Sequence, residues 1–296
     1  MPEAARLAEL QAVAATTYGA PSAAHVVAGP GTQILLPRVA SLVSAGRALV
    51  LSPTYAEHAR AAAIAGHVVA ETTDFDALAE ADVAILVNPN NPDGRVVSRE
   101  RLLGLADAMK AKGGLLVVDE AFMDVGPRDA SLAADAGQGG LVVLRSFGKF
   151  FGLAGVRLGF ALTDRATAAQ LGSQLGPWAV AGPTLEYGIR ALTDIAWQER
   201  MRQQLNADAA RLDALFLRQG VPIKGGTSLF RYLDFGGARR LFSALGRQGI
   251  LLRHFVERPD TLRSGLPGSE HEWQRLDAAL AGWAAKHDGS QNRIRA

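Results

Sequence analysis

Short apolar runs recur along the first two thirds of the chain, with stretches of helical spacing between them. Runs such as Val83–Val87 are continuously apolar, which is typical of parallel strands that helices cover on both faces. This alternation indicates βαβ units around a mostly parallel sheet, and hence an α/β protein. The predicted strands are His25–Ala28, Ala48–Ser52, His67–Glu71, Val83–Val87, Leu115–Asp119, Leu141–Arg145 and Arg157–Leu162, and the predicted helices between them are Thr32–Ser44, Glu57–Ala65 and Arg99–Lys112.

The pattern changes after about Trp178, where long polar stretches with helical spacing replace the buried runs. We therefore expect a large domain at residues 18–190, a smaller α+β domain at residues 191–288, and an N-terminal helix at Pro2–Thr17. The predicted elements of the smaller domain are helices at Gln198–Gln219, Ala238–Arg247 and Glu270–Lys286, and strands at Leu229–Asp234, Ile250–Arg253 and Thr261–Arg263, followed by a solvated tail at Asp288–Ala296.

Composition narrows the possible function classes. Of the 296 residues, 48% are hydrophobic and 20% charged, which is typical of a globular protein. The net charge of +2 does not indicate a nucleic-acid partner, and no apolar stretch reaches the roughly 18 residues of a membrane span. The chain has no cysteine, which excludes disulfides, thiolate metal sites and a cysteine nucleophile, and which fits a cytoplasmic protein.

A lysine follows one of the predicted strands, in Ser146-Phe-Gly-Lys149. Open α/β sheets bind ligands at the carboxyl ends of their strands, so Lys149 lies where a site is expected. A lysine there can form a Schiff base with a carbonyl cofactor, while Ser146 and Arg157 offer a hydroxyl and a bidentate fork for an anion. Taken alone, Lys149 fits a solvated lysine at a strand end equally well.

Asp119 ends the predicted strand Leu115–Asp119. A carboxylate at this place either caps a loop or helix or belongs to a site. In a site it can hold a protonated pyridine nitrogen, which makes the ring a better electron sink. The residues alone leave both interpretations open.

Three loops after predicted strands also fit a cofactor. The turn Gly29–Gln33 precedes a helix, so its backbone N–H groups with Thr32 and Gln33 can cradle a phosphate, although a glycine-rich turn alone is weak evidence. The ring of Tyr55 can stack on a planar cofactor or belong to the core. The loop Val87–Gly94 has the composition of an ordinary turn, yet an Asn amide there can donate to a phenolate oxygen.

Taken in order, these motifs resemble the fold type I pyridoxal-phosphate enzymes, and within them the class I/II aminotransferases, over nearly the whole chain. The resemblance implies a mostly parallel seven-stranded sheet flanked by helices, a smaller C-terminal α+β domain, and pyridoxal 5′-phosphate as cofactor. The sequence does not contain the motifs that other classes of enzyme require. Gly29–Gln33 has no Walker A lysine, and the six histidines show no metal-binding spacing, so we expect no metal.

The resemblance also implies a role for each candidate residue. Lys149 resembles the Schiff-base lysine, and Asp119 the partner of the pyridinium nitrogen. Tyr55 and Ala121 correspond to the residues on the two faces of the ring, and Asn91 to the donor to its 3′-oxygen. The 5′-phosphate is assigned to Gly31, Thr32, Gln33, Ser146 and Arg157, and the substrate carboxylate to Arg263 in Leu262–Pro267.

Within the family the chain resembles two groups, the histidinol-phosphate aminotransferases and the L-threonine-O-3-phosphate decarboxylases of cobalamin biosynthesis. The forms of Asp119–Phe122, Leu175–Pro183 and Leu262–Pro267 resemble the second group. We therefore expect decarboxylation of L-threonine O-3-phosphate to (R)-1-amino-2-propanol O-2-phosphate. An aminotransferase acting on a phosphorylated substrate such as histidinol phosphate remains an alternative, and so does a catalytically silent protein of this fold.

Two features depart from the family pattern. Phe122 stands where many members have a tyrosine that donates to the 3′-oxygen, which implies a different tuning of the cofactor. Only 30 residues precede Gly31, so we expect an N-terminal arm that is short or missing.

Arg253 is a candidate ligand of the substrate phosphate, or else a solvated arginine at a strand end. The resemblance further implies a homodimer with no nucleic-acid or membrane partner.

Overall fold

A seven-stranded sheet organises the larger of two units in this computed structural model, which describes residues 1–291 and their side chains up to residue 285. The larger unit comprises Met1–Asn91 and Arg95–Trp197, and the smaller unit comprises Pro92–Gly94 and the chain from Gln198 onward. The sheet strands are β1 (Val26–Gly29), β2 (Arg47–Leu51), β3 (Val68–Thr72), β4 (Val83–Val87), β5 (Leu115–Asp119), β6 (Leu141–Ser146) and β7 (Gly159–Leu162).

The strand order is β1-β7-β6-β5-β4-β2-β3. The strands from β3 to β6 pair in parallel, whereas β7 pairs antiparallel with both β6 and β1. Every residue of β4, β5 and β6 is buried, as expected for central strands that helices cover on both faces. The helices of this unit are α1 (Ala4–Tyr18), α2 (Thr32–Ala40), α3 (Glu57–Ile64), α4 (Arg99–Ala111), α5 (Arg165–Leu175) and α6 (Gly182–Thr193).

The predicted α/β fold is confirmed, and each strand predicted for the sheet lies within two residues of an observed one. Two boundaries differ for local reasons. The last strand begins at Gly159 rather than Arg157, because Arg157 takes a left-handed conformation (φ 56°) that leaves the extended chain. The helix predicted at Thr32–Ser44 ends at Ala40, where a run rich in Ser and Gly favours turns.

The smaller unit holds a four-stranded antiparallel sheet in the order β10-β11-β9-β8. Its core contains Trp273, Leu276, Leu280 and Trp283 of the last helix, packed with apolar side chains of the other elements. The elements are α7 (Ile195–Arg218, which begins in the larger unit), β8 (Gly225–Thr227), β9 (Phe230–Asp234), α8 (Ala238–Gly246), β10 (Arg253–Phe255), β11 (Arg258–Gly265) and α9 (Glu270–Gln291).

The sequence-based prediction was less accurate in this unit. The strand predicted at Ile250–Arg253 is wrong, because Leu251 is 83% exposed and pairing begins only at Arg253. The short strand β8 was missed, since two of its three residues are glycines. The final helix runs on to Gln291, into the segment predicted as a solvated tail, and the rest of that tail lies outside the described residues.

A buried ion cluster joins the carboxyl ends of β5 and β6. Arg145 donates to Glu120 (2.9 Å) and to Asp124 (2.6 Å), and its guanidinium lies 4.4 Å from the centre of the Tyr18 ring. Burial raises the pKa of the Glu120 carboxyl, against the opposing effect of Arg145. Burial lowers the pKa of Arg145, but Asp124 and Glu120 more than offset this, so its net pKa lies above the ordinary value.

The cluster matters because its residues adjoin two candidate site residues in the sequence. Glu120 directly follows Asp119, and Arg145 directly precedes Ser146. Glu120 also accepts from the backbone N–H of Leu132 (2.7 Å) and from the Ser131 hydroxyl (2.7 Å), so the loop after β5 is tied to the same carboxylate. The cluster therefore fixes the edge of the sheet on which the candidate residues stand.

We expect Arg145→Met to lower the free energy of unfolding by about 3–5 kcal/mol, because it leaves two buried carboxylates without their cation. Urea unfolding of the purified protein measures this. Arg47→Ala is the matched control, since it breaks the exposed ion pair with Glu80 and should change stability by no more than about 1 kcal/mol. Equal stability of the two variants would show that the cluster does not stabilise the fold.

Candidate active site

Three strand ends meet at one corner of the large sheet. Gly29 at the end of β1 pairs with Gly159 of β7, which in turn pairs with Ser146 at the end of β6. Helix α2 begins at Thr32, directly after this corner, with Gly31 as its N-cap residue. The register thus brings the start of α2 and Ser146 to one corner, and the role of Thr32, Gln33 and Ser146 as phosphate donors stays a prediction.

Two glycines allow the close approach at this corner. A Cβ atom on Gly159 would lie 2.5 Å from the backbone nitrogen of Thr32. A Cβ atom on Gly31, whose φ of +91° already favours glycine, would lie 2.6 Å from Nη2 of Arg157. The Arg157 guanidinium therefore lies against the start of α2. A helix N-terminus, a guanidinium and the Ser146 hydroxyl together form an arrangement suited to a phosphate group.

Gln33 is less well placed than the other predicted donors. Its side chain is exposed and its amide donates to Oε2 of Glu57 at 3.2 Å. Thr32 is half-buried at the helix start. In this structure the Gln33 amide is directed to a carboxylate, so the backbone N–H groups of α2, Arg157 and Ser146 are the better anion donors.

Asp119 lies at the carboxyl end of β5 and is 6% exposed. Its Oδ1 accepts from the backbone N–H of Ala121 at 3.0 Å, and its Oδ2 lies 3.1 Å from Nε2 of His58. The backbone of its own loop therefore holds Oδ1, whereas the His58 ring of α3 lies against Oδ2 without a hydrogen bond. Asp119 caps a turn and is also a candidate site residue, so the two interpretations of the sequence are compatible.

His58 was missed by the sequence analysis. It is fully buried in the first turn of α3, on the same face as Ala61 and Ala62. The usable signal was its spacing: it follows Tyr55 by three residues and occupies a position of the helix that otherwise buries alanine. The rings of Tyr55 and His58 meet edge to face with centroids 5.9 Å apart, so His58 touches two candidate residues.

Tyr55 is 42% exposed, which leaves its ring accessible for stacking. Burial of the hydroxyl raises its pKa, and Glu57 and Asp119 add to this effect while Arg157 opposes it. The phenol is therefore neutral over the usual range of pH. The structure places Tyr55 in the electrostatic field of both Asp119 and Arg157, consistent with one common site.

Lys149 follows β6 and is exposed. Its Nζ lies 5.8 Å from the centre of the Phe122 ring, and Phe122 follows Asp119 by three residues and is 8% exposed. Ala121, between them, is also buried. The loops after β5 and β6 therefore bring the lysine amine, the small side chain of Ala121 and the carboxylate of Asp119 to the same edge of the sheet.

The asparagines after β4 have different roles. Asn88 exchanges two hydrogen bonds with the backbone of Val97, and Asn90 binds Thr54 and the carbonyl of Pro53. Both are buried and tie loops together. Asn91, which the resemblance assigned to the cofactor oxygen, is half-buried. The ordinary-turn interpretation therefore holds for Asn88 and Asn90, and Asn91 stays a candidate.

In the smaller unit, Arg253 of β10 and Arg263 of β11 are directly paired across the sheet. Their guanidinium carbons lie 5.7 Å and 5.0 Å from the ring centres of Phe255 and Phe230 respectively. Burial lowers the pKa of Arg263, and the positive charge of Arg253 lowers it further. Two neighbouring cations disfavour each other, so an anion bound between them would be stabilised.

No group of three or more His, Asp or Glu side chains in the described residues is arranged to hold a metal ion. None of the helices in the part of the chain that the structure describes is long and apolar enough to cross a membrane.

Comparison with known proteins supports the resemblance deduced from the motifs. The chain is 46% identical to the threonine-phosphate decarboxylase of Pseudomonas aeruginosa over 277 residues, which cover 93% of this chain and 82% of that protein. It is 41% identical to the threonine-phosphate decarboxylase of a Sinorhizobium species, over 85% of this chain and 76% of the relative.

Solved structures confirm the fold. The histidinol-phosphate aminotransferase of Sinorhizobium meliloti, in complex with pyridoxal-5′-phosphate, superposes with a TM-score of 0.84 at 22% identity, over 97% of this chain and 83% of that one. The sequence profile of aminotransferase class I and II matches residues 5–279. The chain therefore belongs to the class I and II aminotransferase family.

Proposed function

We propose that the protein is a pyridoxal-phosphate-dependent decarboxylase that converts L-threonine O-3-phosphate to (R)-1-amino-2-propanol O-2-phosphate, a step of cobalamin biosynthesis. The observation that carries the proposal is the 46% identity to a threonine-phosphate decarboxylase over 93% of the chain. The candidate active site supports it, because its residues match the needs of the cofactor one by one.

The residues present fit pyridoxal phosphate. A Cβ on Gly31 or Gly159 would fill the corner formed by α2 and Arg157, so this corner would hold the phosphate, together with Ser146. The carboxylate of Asp119, which accepts from the Ala121 N–H, would face the ring nitrogen. Tyr55 and Ala121 would cover the two faces of the ring, Asn91 would donate to its 3′-oxygen, and Lys149 would bind it through a Schiff base.

We predict that the protein with pyridoxal phosphate shows the absorption band of a lysine-bound cofactor and that Lys149→Ala lacks it, because Nζ is the attachment point. After borohydride reduction, mass spectrometry should find the cofactor on the peptide that contains Lys149. Lys110→Ala, an exposed lysine of α4, is the control and should keep the band. A band that survives in Lys149→Ala would refute the assignment, and a wild-type protein without any band would refute the enzyme.

Pyridoxal phosphate, when bound, supplies an electron sink that weakens the substrate bond lying perpendicular to the ring plane. Which bond takes that position depends on how the protein holds the rest of the substrate. We assign the α-carboxylate to Arg263 and the substrate phosphate to Arg253, since the two form a paired cationic site within β10 and β11. With the cofactor bound, these two arginines would orient the substrate for loss of CO2, and Nζ of Lys149 would deliver the proton that replaces the carboxylate at Cα.

We predict that incubation with L-threonine O-3-phosphate labelled with ¹³C at the carboxylate releases labelled CO2 and one equivalent of aminopropanol phosphate. L-Threonine is the control, and it should react far more slowly because it lacks the group that Arg253 binds. Histidinol phosphate with 2-oxoglutarate tests the alternative. Glutamate formation without CO2 release would contradict the decarboxylase and establish an aminotransferase, whereas the absence of both products would establish a catalytically silent protein.

The proposal includes two further statements about the whole protein. We propose a homodimer, with each site near the subunit interface, and a cytoplasmic location. The first rests on the family resemblance, and the second on the absence of cysteine, which fits a reducing compartment.

A further inference from the structure

We propose that Trp197 is a positioning residue for Lys149, because its ring completes an aromatic cluster that holds the lysine loop, residues 147–152. The inference rests on the proposed function, in which Nζ of Lys149 binds the cofactor and returns a proton to Cα. Three observations carry it: the buried rings on both sides of the lysine, their contacts with Trp197, and the helix cap that fixes Trp197 itself.

The first observation is the contrast within the lysine loop. Phe147, Phe150 and Phe151 are buried, whereas Lys149 between them is exposed. A turn closes the same segment, since the N–H of Gly152 donates to the carbonyl of Lys149 at 3.1 Å. The backbone of Lys149 is therefore held by the rings before and after it, and any freedom of these rings becomes freedom of the amine.

The second observation is that these rings form one continuous cluster with Trp197. Phe147 stacks on Phe151 with ring centres 4.5 Å apart, and Phe150 meets Phe151 nearly edge to face at 5.1 Å. The Trp197 ring lies 5.4 Å from that of Phe150 and 6.0 Å from that of Phe151, centre to centre. Aromatic pairs favour such separations. Trp197 therefore contacts both residues that follow Lys149, and it does so from a different element, α7.

The third observation is the helix cap that fixes the place of Trp197. Asp194 lies between the end of α6 and the start of α7, and its N–H donates to the carbonyl of Arg190 at 3.1 Å. Its Oδ1 accepts from the backbone N–H of Trp197 at 2.9 Å, which is the bond that an N-cap residue makes to the first turn of a helix. The first turn of α7 is therefore anchored where its tryptophan meets the lysine loop.

The chemistry of Lys149 explains why its backbone has to be held. A lysine amine stands on a long flexible stem and loses much conformational freedom when it is ordered. If its backbone also moves, the amine spends less time where it can protonate Cα, and small misplacements of a reacting group are costly in rate. We therefore expect the aromatic cluster to act on the return of the proton rather than on substrate binding.

Imprecise return of the proton has a definite chemical outcome. After CO2 has left, a proton added to Cα gives aminopropanol phosphate. A proton added instead to the cofactor carbon that is bonded to the substrate nitrogen leads, after hydrolysis by one water, to 2-(phosphonooxy)propanal and pyridoxamine phosphate. Lys149 directs the proton to Cα, so a lysine that is held less firmly should raise the share of the second outcome.

The test uses the whole protein loaded with pyridoxal phosphate. Trp197→Leu removes the ring, Trp197→Phe keeps a smaller one, and Asp194→Ala removes the cap. Phe75→Ala is the matched control, because Phe75 is also half-buried in the larger unit but packs against Arg101. For each protein, kcat and KM are measured with L-threonine O-3-phosphate, together with the fraction of turnovers that end in pyridoxamine phosphate.

We expect Trp197→Leu to lower kcat about tenfold, to change KM by less than about threefold, and to raise the pyridoxamine phosphate fraction about tenfold. Trp197→Phe should restore most of both values, and Asp194→Ala should give an intermediate effect. Phe75→Ala should match wild type, because a general loss of stability does not change where the proton goes.

A pyridoxamine phosphate fraction equal to wild type in Trp197→Leu would overturn the inference. An equal rise in Phe75→Ala would also overturn it, since the effect would then not depend on the lysine loop. If Trp197→Leu does not fold, Asp194→Ala decides, and a fraction equal to wild type in that variant would overturn the inference.

The two proposals fail in different ways. A wild-type protein that releases no CO2 from L-threonine O-3-phosphate refutes the proposed function, and the inference falls with it. A wild-type protein that releases CO2, with variants of Trp197 that return the proton equally well, refutes only the inference.

Discussion

The site depends on a buried carboxylate held at the end of a central strand. Asp119 is 6% exposed, and burying a charge is costly unless donors compensate it. The Ala121 N–H donates to this carboxylate, and the His58 ring lies 3.1 Å from its second oxygen. Next to Asp119 in the sequence, Glu120 shares the Arg145 guanidinium with Asp124, which offsets part of the negative charge at this edge.

The parallel sheet brings the other residues to the carboxylate. Strands β4, β5 and β6 run in parallel, so the loops that follow them emerge at one edge. The antiparallel strand β7 returns beside β6 and carries Gly159 to the same corner, where its missing side chain leaves room for the start of α2. Lysine, carboxylate and anion site thus come from segments far apart in sequence, and their convergence follows from strand order rather than from any single motif.

Much of this could be predicted from the sequence. Continuous apolar runs identified the strands of the sheet, because burial on both faces leaves little room for polar residues. Polar residues at or after the ends of those runs, such as Asp119 and Lys149, are the basis of the predicted site, and their roles stay predictions. The less successful predictions share a physical cause: β8 and β10 are short, carry glycine or exposed residues, and are held by pairing with neighbours that a linear pattern does not show. His58 was missed for a similar reason, since only the fold shows that it faces Asp119. The different roles of Asn88, Asn90 and Asn91 also depend on contacts with distant loops.

In the proposed mechanism the charge of Asp119 supports the chemistry, while Lys149 and the corner formed by the start of α2, Arg157 and Ser146 hold the cofactor. Asp119→Asn removes the charge and keeps the shape, so the rate of CO2 release from L-threonine O-3-phosphate, measured at saturating pyridoxal phosphate, tests it directly. We predict that the variant folds and retains bound cofactor but loses rate by about 10²-fold or more, as expected when one preorganised charge is removed from a reacting site. A rate that falls by no more than about threefold would contradict this role of Asp119, because the expected loss is about 10²-fold or more.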